Sequence, residues 1–307
     1  MLEDIETGIG LDVILSLQES RNELFDILAE ILHFMGNDLF FLLILPLAYW
    51  SINRNLGVRL LFALIFAGIT NVILKELFQR PRPFQVSSDV ISIIEQEGFG
   101  FPSGHVMVAV IVWGYLALEL KQRWFYWSVG IFIIIMAWSR MYAGVHYPQD
   151  VIGGAIFGWG GLLVYQRLVK HLPDVWSRLA LKPQLASVVL ALIVVPTFVF
   201  QDDIGTALAG LLVGVLLGSV LNQFYNVDFH AGGQLSKRSA RYIIGIILLA
   251  VLFFGLRVLF GALIEEGTTE ESLLRVPRYA VIGLFAFTGF PYMALRFGLA
   301  PQEEQNG

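Results

Sequence analysis

Three short polar clusters interrupt an apolar stretch of the sequence between Lys75 and Asp150. They hold the side chains that could carry out chemistry: Lys75 and Arg82 in the first, Ser103, Gly104 and His105 in the second, and Arg140, His146 and Asp150 in the third. Cations, histidines and carboxylates are costly within apolar segments and are retained there mainly for function. We expect the three clusters to meet in one polar pocket.

The second cluster, Pro102-Ser103-Gly104-His105, precedes the apolar run 106–117. Ser103 is a favoured helix N-cap residue, and Gly104 leaves the neighbouring backbone amides uncovered. Free amides at the positive end of a helix dipole bind anions. His105 could donate a proton to the group that leaves such an anion. For this cluster taken alone, a capped helix with an incidental histidine is the favoured interpretation.

The first cluster supplies cations. Lys75 lies in an apolar run, and Pro81 and Pro83 should end the helix so that Arg82 lies on a loop. A guanidinium fork matches phosphate oxygens, and an ammonium group adds a point charge. The alternative for Lys75 is a side chain that reaches back to the membrane interface.

The third cluster places His146 four residues before Asp150, with Pro148 as a favourable first helical residue between them. A carboxylate that accepts from Nδ1–H fixes the tautomer of a histidine and leaves Nε2 as a nucleophile. Arg140 could hold substrate oxygens. A structural His–Asp pair is the alternative, and the residues alone do not decide whether His105 or His146 attacks.

The same residues predict no metal ion and no cofactor. These runs lack the acidic clusters of a Mg²⁺ site, cations crowd the two histidines, and the chain has no cysteine. Cations beside a helix N-terminus, two histidines and one carboxylate are instead typical of a phosphate site.

Composition indicates an integral membrane protein. Of the 307 residues, 56% are hydrophobic and only 15% are charged, and the mean hydropathy is +0.70. A soluble helical protein with a very large core is the disfavoured alternative. The net charge of −5 gives no indication of a nucleic-acid partner.

Apolar runs of spanning length predict an all-α polytopic bundle with about nine transmembrane helices. The predicted spans are 37–53, 57–79, 105–121, 124–141, 150–169, 184–201, 204–222, 241–261 and 278–297. We divide the chain into an amphipathic segment (1–36), a catalytic core (37–170) and a four-helix extension (171–307). Glycines every four residues in the seventh span favour close packing within the chain over a homodimer through the C-terminal helices; they are Gly210, Gly214 and Gly218.

Alternating these spans across the bilayer puts all three clusters on one face. Basic residues gather in the loops of the opposite face, as in Arg123, Lys170, Arg178, Lys182, Lys237 and Arg238. The positive-inside rule makes that opposite face cytoplasmic. We therefore expect a multi-pass protein of the cell membrane (the inner membrane in a Gram-negative cell), with an extracytoplasmic pocket and a cytoplasmic C-terminus.

The order and spacing of the clusters, Lys75-x6-Arg82-Pro83, Pro102-Ser103-Gly104-His105 and Ser139-Arg140-x5-His146-x3-Asp150, resemble the tripartite signature of the type 2 phosphatidic acid phosphatase (PAP2) superfamily. The resemblance covers about residues 37–170. It implies a helical core and a metal-independent reaction in two steps.

The resemblance also implies a role for each residue. His146 attacks phosphorus and forms a phosphohistidine, and Asp150 orients it. His105 protonates the leaving oxygen and then activates water. The oxygens are held by Lys75, Arg82, Ser103, the Gly104 amide and Arg140.

These roles predict a lipid phosphatase whose partners are the bilayer and a lipid phosphate. The substrates considered are phosphatidic acid, phosphatidylglycerophosphate, a sphingoid phosphate and undecaprenyl pyrophosphate. One alternative is a phosphotransferase with a lipid or sugar acceptor in place of water. Another is a transporter or scaffold that retains the pocket.

Overall fold

The computed structural model describes residues 6–94, 96–171, 203–262 and 269–301. This part of the chain is built from helices, as expected where apolar segments must satisfy their own backbone hydrogen bonds. The predicted all-α fold class is confirmed. The chain forms two compact units, one made of residues 1–41 and 66–168 and the other of residues 42–65 and 169–307.

In chain order the helices are α1 (Leu11–Glu19), α2 (Glu23–Phe34), α3 (Asp38–Pro46), α4 (Arg54–Phe78), α5 (Pro83–Val86), α6 (Gly104–Val108), α7 (Gly114–Leu120), α8 (Arg123–Tyr142), α9 (Pro148–Val169), α10 (Asp203–Phe224), α11 (Leu235–Gly261), α12 (Thr269–Leu284) and α13 (Phe290–Arg296). Wider π-helical turns precede α1 (Glu6–Gly10), follow α3 (Leu47–Ile52), join α6 to α7 (Ala109–Trp113) and join α12 to α13 (Phe285–Gly289).

The first unit packs α2, α6, α8 and α9 around one apolar core. Its buried members are Leu32, Val106, Ala109, Met136 and Val151. Since each of these four helices contributes a residue to the same cluster, their polar ends are held at fixed positions. The unit thereby brings the start of α6, the end of α8 and the start of α9 together.

Helix α2 is amphipathic, as the sequence predicts for this segment. Ala29 and Leu32 are buried, whereas the exposed side of the helix carries the apolar residues Leu24, Ile27, Ile31 and Phe34 together with Glu23 and Glu30. Asn22 caps the helix by accepting from the Phe25 amide at 3.1 Å. The Tyr142 hydroxyl of α8 donates to Asp26 at 2.7 Å, which fixes α2 against α8.

The turn between α8 and α9 requires a glycine. Gly144 has a φ of +73°, and a Cβ atom there would lie 2.6 Å from the Ile91 carbonyl oxygen and 2.8 Å from Val90. The turn sets the direction of the chain between Arg140 and His146.

We expect Gly144→Ala to lower the free energy of unfolding by about 1–3 kcal/mol, because the new side chain meets both backbone strain and a backbone oxygen. Thermal unfolding of the purified protein in detergent measures the change. Gly130→Ala is the matched control, since a Cβ there meets nothing within 4 Å. Equal melting temperatures for the two variants would contradict the expectation.

The second unit has an aromatic core, whose largest members are Tyr49, Trp50, Phe229, Phe287 and Phe290. The polar ends of two of these rings are satisfied by backbone. Trp50 Nε1 donates to the Ala286 carbonyl at 2.8 Å, and the Tyr49 hydroxyl donates to the Phe287 carbonyl at 3.1 Å.

The glycines of α10 pack against α12 of the same chain. A Cβ added at Gly210 or Gly214 would overlap backbone atoms of Val276 or Ala280. This is the intramolecular packing that the sequence favours for the glycine repeat. A homodimer through the C-terminal helices stays a prediction.

Five of the described helices are long and apolar enough to cross a membrane, and the pair α2 and α3, bent by 59°, adds a sixth if it forms one span. The five are Arg54–Val86, Arg123–Tyr142, Ile204–Phe224, Leu235–Gly261 and Leu274–Arg296. The chain is therefore a multi-pass membrane protein.

The predicted nine spans are not confirmed. The predicted span 105–121 is a shorter apolar helix, Gly104–Leu120. Helix α9 covers the predicted span 150–169 but is not among the five, since polar residues at both ends of α9 lower its hydropathy. The predicted span 184–201 lies outside the described residues.

Candidate active site

Arg82 is fully buried in the loop that follows α4. Its Nε donates to the Gly98 carbonyl at 3.0 Å and its Nη2 to the Glu97 carbonyl at 2.9 Å. Nη1 donates to the Val145 carbonyl at 3.0 Å and lies 3.4 Å from Nε2 of His146. Backbone carbonyls thus fix the guanidinium in place and direct one edge of it to His146.

His146 is buried in the turn before α9, and Pro148 begins that helix. The Nδ1 atom of His146 lies 3.4 Å from Oδ2 of Asp150, longer than a normal hydrogen bond. Asp150 Oδ2 also accepts from the Tyr147 amide at 2.8 Å. The carboxylate therefore lies at one nitrogen of the imidazole, and Arg82 lies at the other.

The charges of the three clusters converge on His146. Burial, and then the nearby Arg82, Lys75, Arg140 and His105, lower the pKa of His146 well below its usual value of 6.5. The imidazole is therefore neutral near pH 7, which is the form that a nucleophile requires. Groups separated by up to 71 residues in the sequence share one site.

Ser103 stands at the N-cap position, but the expected capping hydrogen bond is not made. Its backbone amide donates instead to the Asp150 carbonyl at 2.9 Å. The Ser103 hydroxyl is buried and has no hydrogen-bond partner in the part of the chain described. A buried polar group without a partner is costly. This hydroxyl is therefore available to a ligand oxygen, and it does not occupy the amides of the first helical turn.

Asn71 supports the second cluster and was not predicted from the sequence. Its Nδ2 donates to the Pro102 carbonyl at 3.1 Å. A Cβ atom on Gly104 would lie 2.8 Å from Asn71 Oδ1, so the glycine allows this close approach. Asn71 precedes Lys75 by one turn of α4 on the same face. A single asparagine within an apolar run was the signal in the sequence that could have revealed it.

His33 of α2 also joins the site without having been predicted. Its Nδ1 lies 3.0 Å from Nη1 of Arg140, and its carbonyl lies 3.2 Å from Nε2 of His105. The two imidazole rings stack with centroids 5.1 Å apart. The signal was a pair of polar residues, Asp26 and His33, seven residues apart and therefore on one face of the amphipathic segment.

Two family models match the chain. Residues 56–173 match the PAP2 superfamily, and residues 206–302 match the PAP2 superfamily phosphatase, transmembrane extension. Together the matches cover more than half of the chain.

Three relatives illustrate the range of similar proteins. A protein of Dictyostelium discoideum named "Probable sphingosine-1-phosphate phosphatase" is 30% identical over 47% of this chain and 38% of its own length. Phosphatidylglycerophosphatase B of Bacillus subtilis is 33% identical over 34% of this chain and 54% of its own length. Lipid A 4'-phosphatase of Bacteroides thetaiotaomicron is 32% identical over 38% of this chain and 56% of its own length.

The alignments span between 38% and 56% of the length of these relatives. By name the relatives are phosphatases of three different lipids. The family matches and the three convergent clusters agree on one assignment, and the chain belongs to the PAP2 superfamily.

Proposed function

We propose that the protein is an integral-membrane phosphatase that hydrolyses a lipid phosphate through a phosphohistidine. The observation that carries the proposal is the environment of His146. The imidazole is buried, with Asp150 at Nδ1 and Arg82 at Nε2. A neutral imidazole that a carboxylate orients, beside a fixed cation that can hold phosphate oxygens, has the parts that phosphoryl transfer requires.

In the first step Nε2 of His146 attacks phosphorus. An N–P bond forms as the bond between phosphorus and the lipid oxygen breaks. His105, which carries a hydrogen on both ring nitrogens in this step, gives one proton to that oxygen and becomes neutral, and the lipid leaves as an alcohol. Arg82, Arg140 and Lys75 offset the charge that develops on the remaining oxygens, and the Ser103 hydroxyl and the Gly104 amide donate to them.

In the second step His105, now neutral, takes a proton from water. The water oxygen forms a bond to phosphorus, and the N–P bond breaks. Inorganic phosphate leaves, and His146 is again neutral. No metal ion enters either step.

The substrate class we propose is a lipid phosphate monoester or diphosphate. The relatives named above act on a sphingoid phosphate, a glycerophospholipid phosphate and a lipid A phosphate, so the shared chemistry concerns the phosphate and not the lipid backbone. Phosphatidic acid and undecaprenyl pyrophosphate belong to the same class. We assign the catalytic role to residues 37–170, with 171–307 as an extension.

The test is phosphate release by the purified protein across a panel of these lipid phosphates without an added acceptor. We expect release from at least one lipid. Absence of release from all of them, together with activity when a second lipid or a sugar alcohol is added, would favour a phosphotransferase. Absence under both conditions would contradict the proposed function.

EDTA is expected to leave turnover unchanged, because cations and amides of the chain itself hold the phosphate oxygens. Phosphate release measured with and without EDTA checks this. The control is a magnesium-dependent phosphatase assayed in the same detergent. Loss of activity that Mg²⁺ restores would contradict the mechanism.

The charge distribution of the loops predicts that the C-terminus is cytoplasmic and that the pocket opens on the other side. A reporter that is active only in the cytoplasm is therefore expected to be active when it is fused after Gly307. A reporter that is active on the extracytoplasmic side would contradict this orientation.

A further inference from the structure

The last turn of α2 forms one wall around His105. The carbonyl of His33 lies 3.2 Å from His105 Nε2, and the two rings stack with an interplanar angle of 18°. Two residues after α2 ends, Gly36 lies so close to the His105 ring that a Cβ on Gly36 would overlap it. The ring is thus confined on one face, at one nitrogen and along one edge by the last turn of α2 and the two residues that follow it.

His33 also holds Arg140. Nη1 of Arg140 lies 3.0 Å from Nδ1 of His33, and Nη2 donates to the Ala29 carbonyl at 3.3 Å. A guanidinium has donors only, so His33 Nδ1 must be the acceptor. Arg140 is fully buried, and its Nε lies 3.4 Å from the Ser139 hydroxyl. Two acceptors on α2 hold its terminal nitrogens and therefore fix the orientation of the guanidinium.

The backbone carbonyl of His33 also decides which nitrogen of His105 can exchange a proton. A carbonyl only accepts, so Nε2 of His105 keeps its hydrogen throughout the reaction. The proton that passes to the leaving oxygen must come from Nδ1. Contacts of α2 thus determine both the position and the tautomer of the proposed acid.

Helix α2 is itself held in place by contacts of its own, which fix the position of His33. Its start is capped by Asn22, Asp26 accepts from Tyr142, and Phe25 packs edge-on against Trp138. Tyr142 and Trp138 lie on α8, the helix that also carries Arg140. His33 and Arg140 therefore belong to two helices in fixed register.

We propose that His33 is a positioning residue of the active site, which orients Arg140 through Nδ1 and seats His105 through its ring and carbonyl. The proposal rests on the proposed function, because that function assigns Arg140 and His105 their catalytic roles. Neither the tripartite signature nor the apolar pattern of the segment includes this histidine.

Two substitutions separate the two contacts. His33→Asn keeps an oxygen acceptor near the position of Nδ1 and loses the ring. His33→Phe keeps a ring that can stack on His105 and loses the acceptor. Both retain the backbone carbonyl. Glu30→Gln, on the exposed side of the same helix, is the matched control, and melting temperatures in detergent show whether each variant is folded.

The first readout is the affinity for inorganic phosphate, measured by calorimetry, alongside KM for a lipid phosphate. Loss of a hydrogen bond to a charged group should weaken phosphate binding and raise KM about tenfold or more in His33→Phe. His33→Asn should stay within about threefold of the wild type in both quantities, since Arg140 keeps its acceptor. Equal losses in the two variants, or wild-type phosphate affinity in His33→Phe, would overturn the proposal.

Gly36→Ala provides the second readout, because its methyl group displaces the His105 ring and leaves the Arg140 contact intact. We expect kcat to fall at least about tenfold with little change in KM. A rise in KM with unchanged kcat would overturn the role of α2 in seating His105. If the wild type released no phosphate from any lipid, the proposed function would fail, and weaker phosphate binding by His33→Phe would still support the positioning of Arg140.

Discussion

His146→Ala is expected to abolish phosphate release, with kcat reduced by at least about 10³-fold. The substitution removes the atom that forms the bond to phosphorus, and neighbouring groups cannot replace it. Arg82 and Arg140 lack a nucleophilic form near neutral pH, and the ring of His105 is stacked on His33. Single-turnover assays with a lipid phosphate measure the residual rate.

The control for this experiment is His171→Ala, which removes an exposed histidine that follows α9. It should retain wild-type turnover. Melting temperatures of the two variants show whether His146→Ala is folded. A folded His146→Ala protein with full activity would exclude His146 as the nucleophile and with it the proposed mechanism.

The pH dependence of turnover offers a further check on His146. Burial and the surrounding cations hold its pKa well below 6.5. The imidazole therefore stays unprotonated as the pH falls through 6.5, and protonation of the nucleophile should reduce kcat/KM only below that value. If kcat/KM fell on the acid side with a midpoint above pH 6.5, His146 would be more basic than its surroundings indicate.

The sequence was sufficient to locate the clusters because their residues are chemically out of place. A lysine, arginines and histidines in apolar runs are visible without knowledge of the fold. The prediction that the clusters converge needed only one assumption, that helix ends on the same membrane face meet. In the structure Lys75, Arg82, Arg140 and His105 lie close enough to His146 to lower its pKa, while the catalytic roles of these residues stay predictions.

His33 and Asn71 escaped prediction for a physical reason. Each is a single polar residue on a helix, where a satisfied structural role is the commoner explanation. Only the crossing of α2 over the end of α8 gives His33 its partner Arg140. Such a crossing depends on side-chain packing between helices, and the apolar pattern of one helix does not specify its partner.

The number of spans was also beyond the reach of hydropathy alone. A helix that lines a polar pocket can carry polar residues and glycines on its buried side while its other side stays apolar. Helix α9 buries Asp150 and exposes Ile152, Ile156 and Trp159. The division of the chain into an amphipathic segment, a catalytic core and an extension stays a prediction.

His105→Ala is the second substitution with a large expected effect. His105 acts in both proposed steps, so turnover of a lipid phosphate should fall by at least about 10²–10⁴-fold, the range that general acid–base catalysis supplies. The two steps do not depend on it equally. An aryl phosphate has a leaving oxygen of low basicity, so the first step can proceed without an acid, whereas the water of the second step still needs a base.

The variant should therefore accumulate a phosphohistidine when it is mixed with an aryl phosphate. Mass spectrometry at alkaline pH, where the N–P bond persists, should detect one added phosphoryl group on the peptide that contains His146. The double variant His105→Ala with His146→Ala should remain unlabelled. Continued hydrolysis by His105→Ala without any label would mean that water attacks the substrate directly, and the two-step mechanism would then be wrong even if the enzyme is a phosphatase.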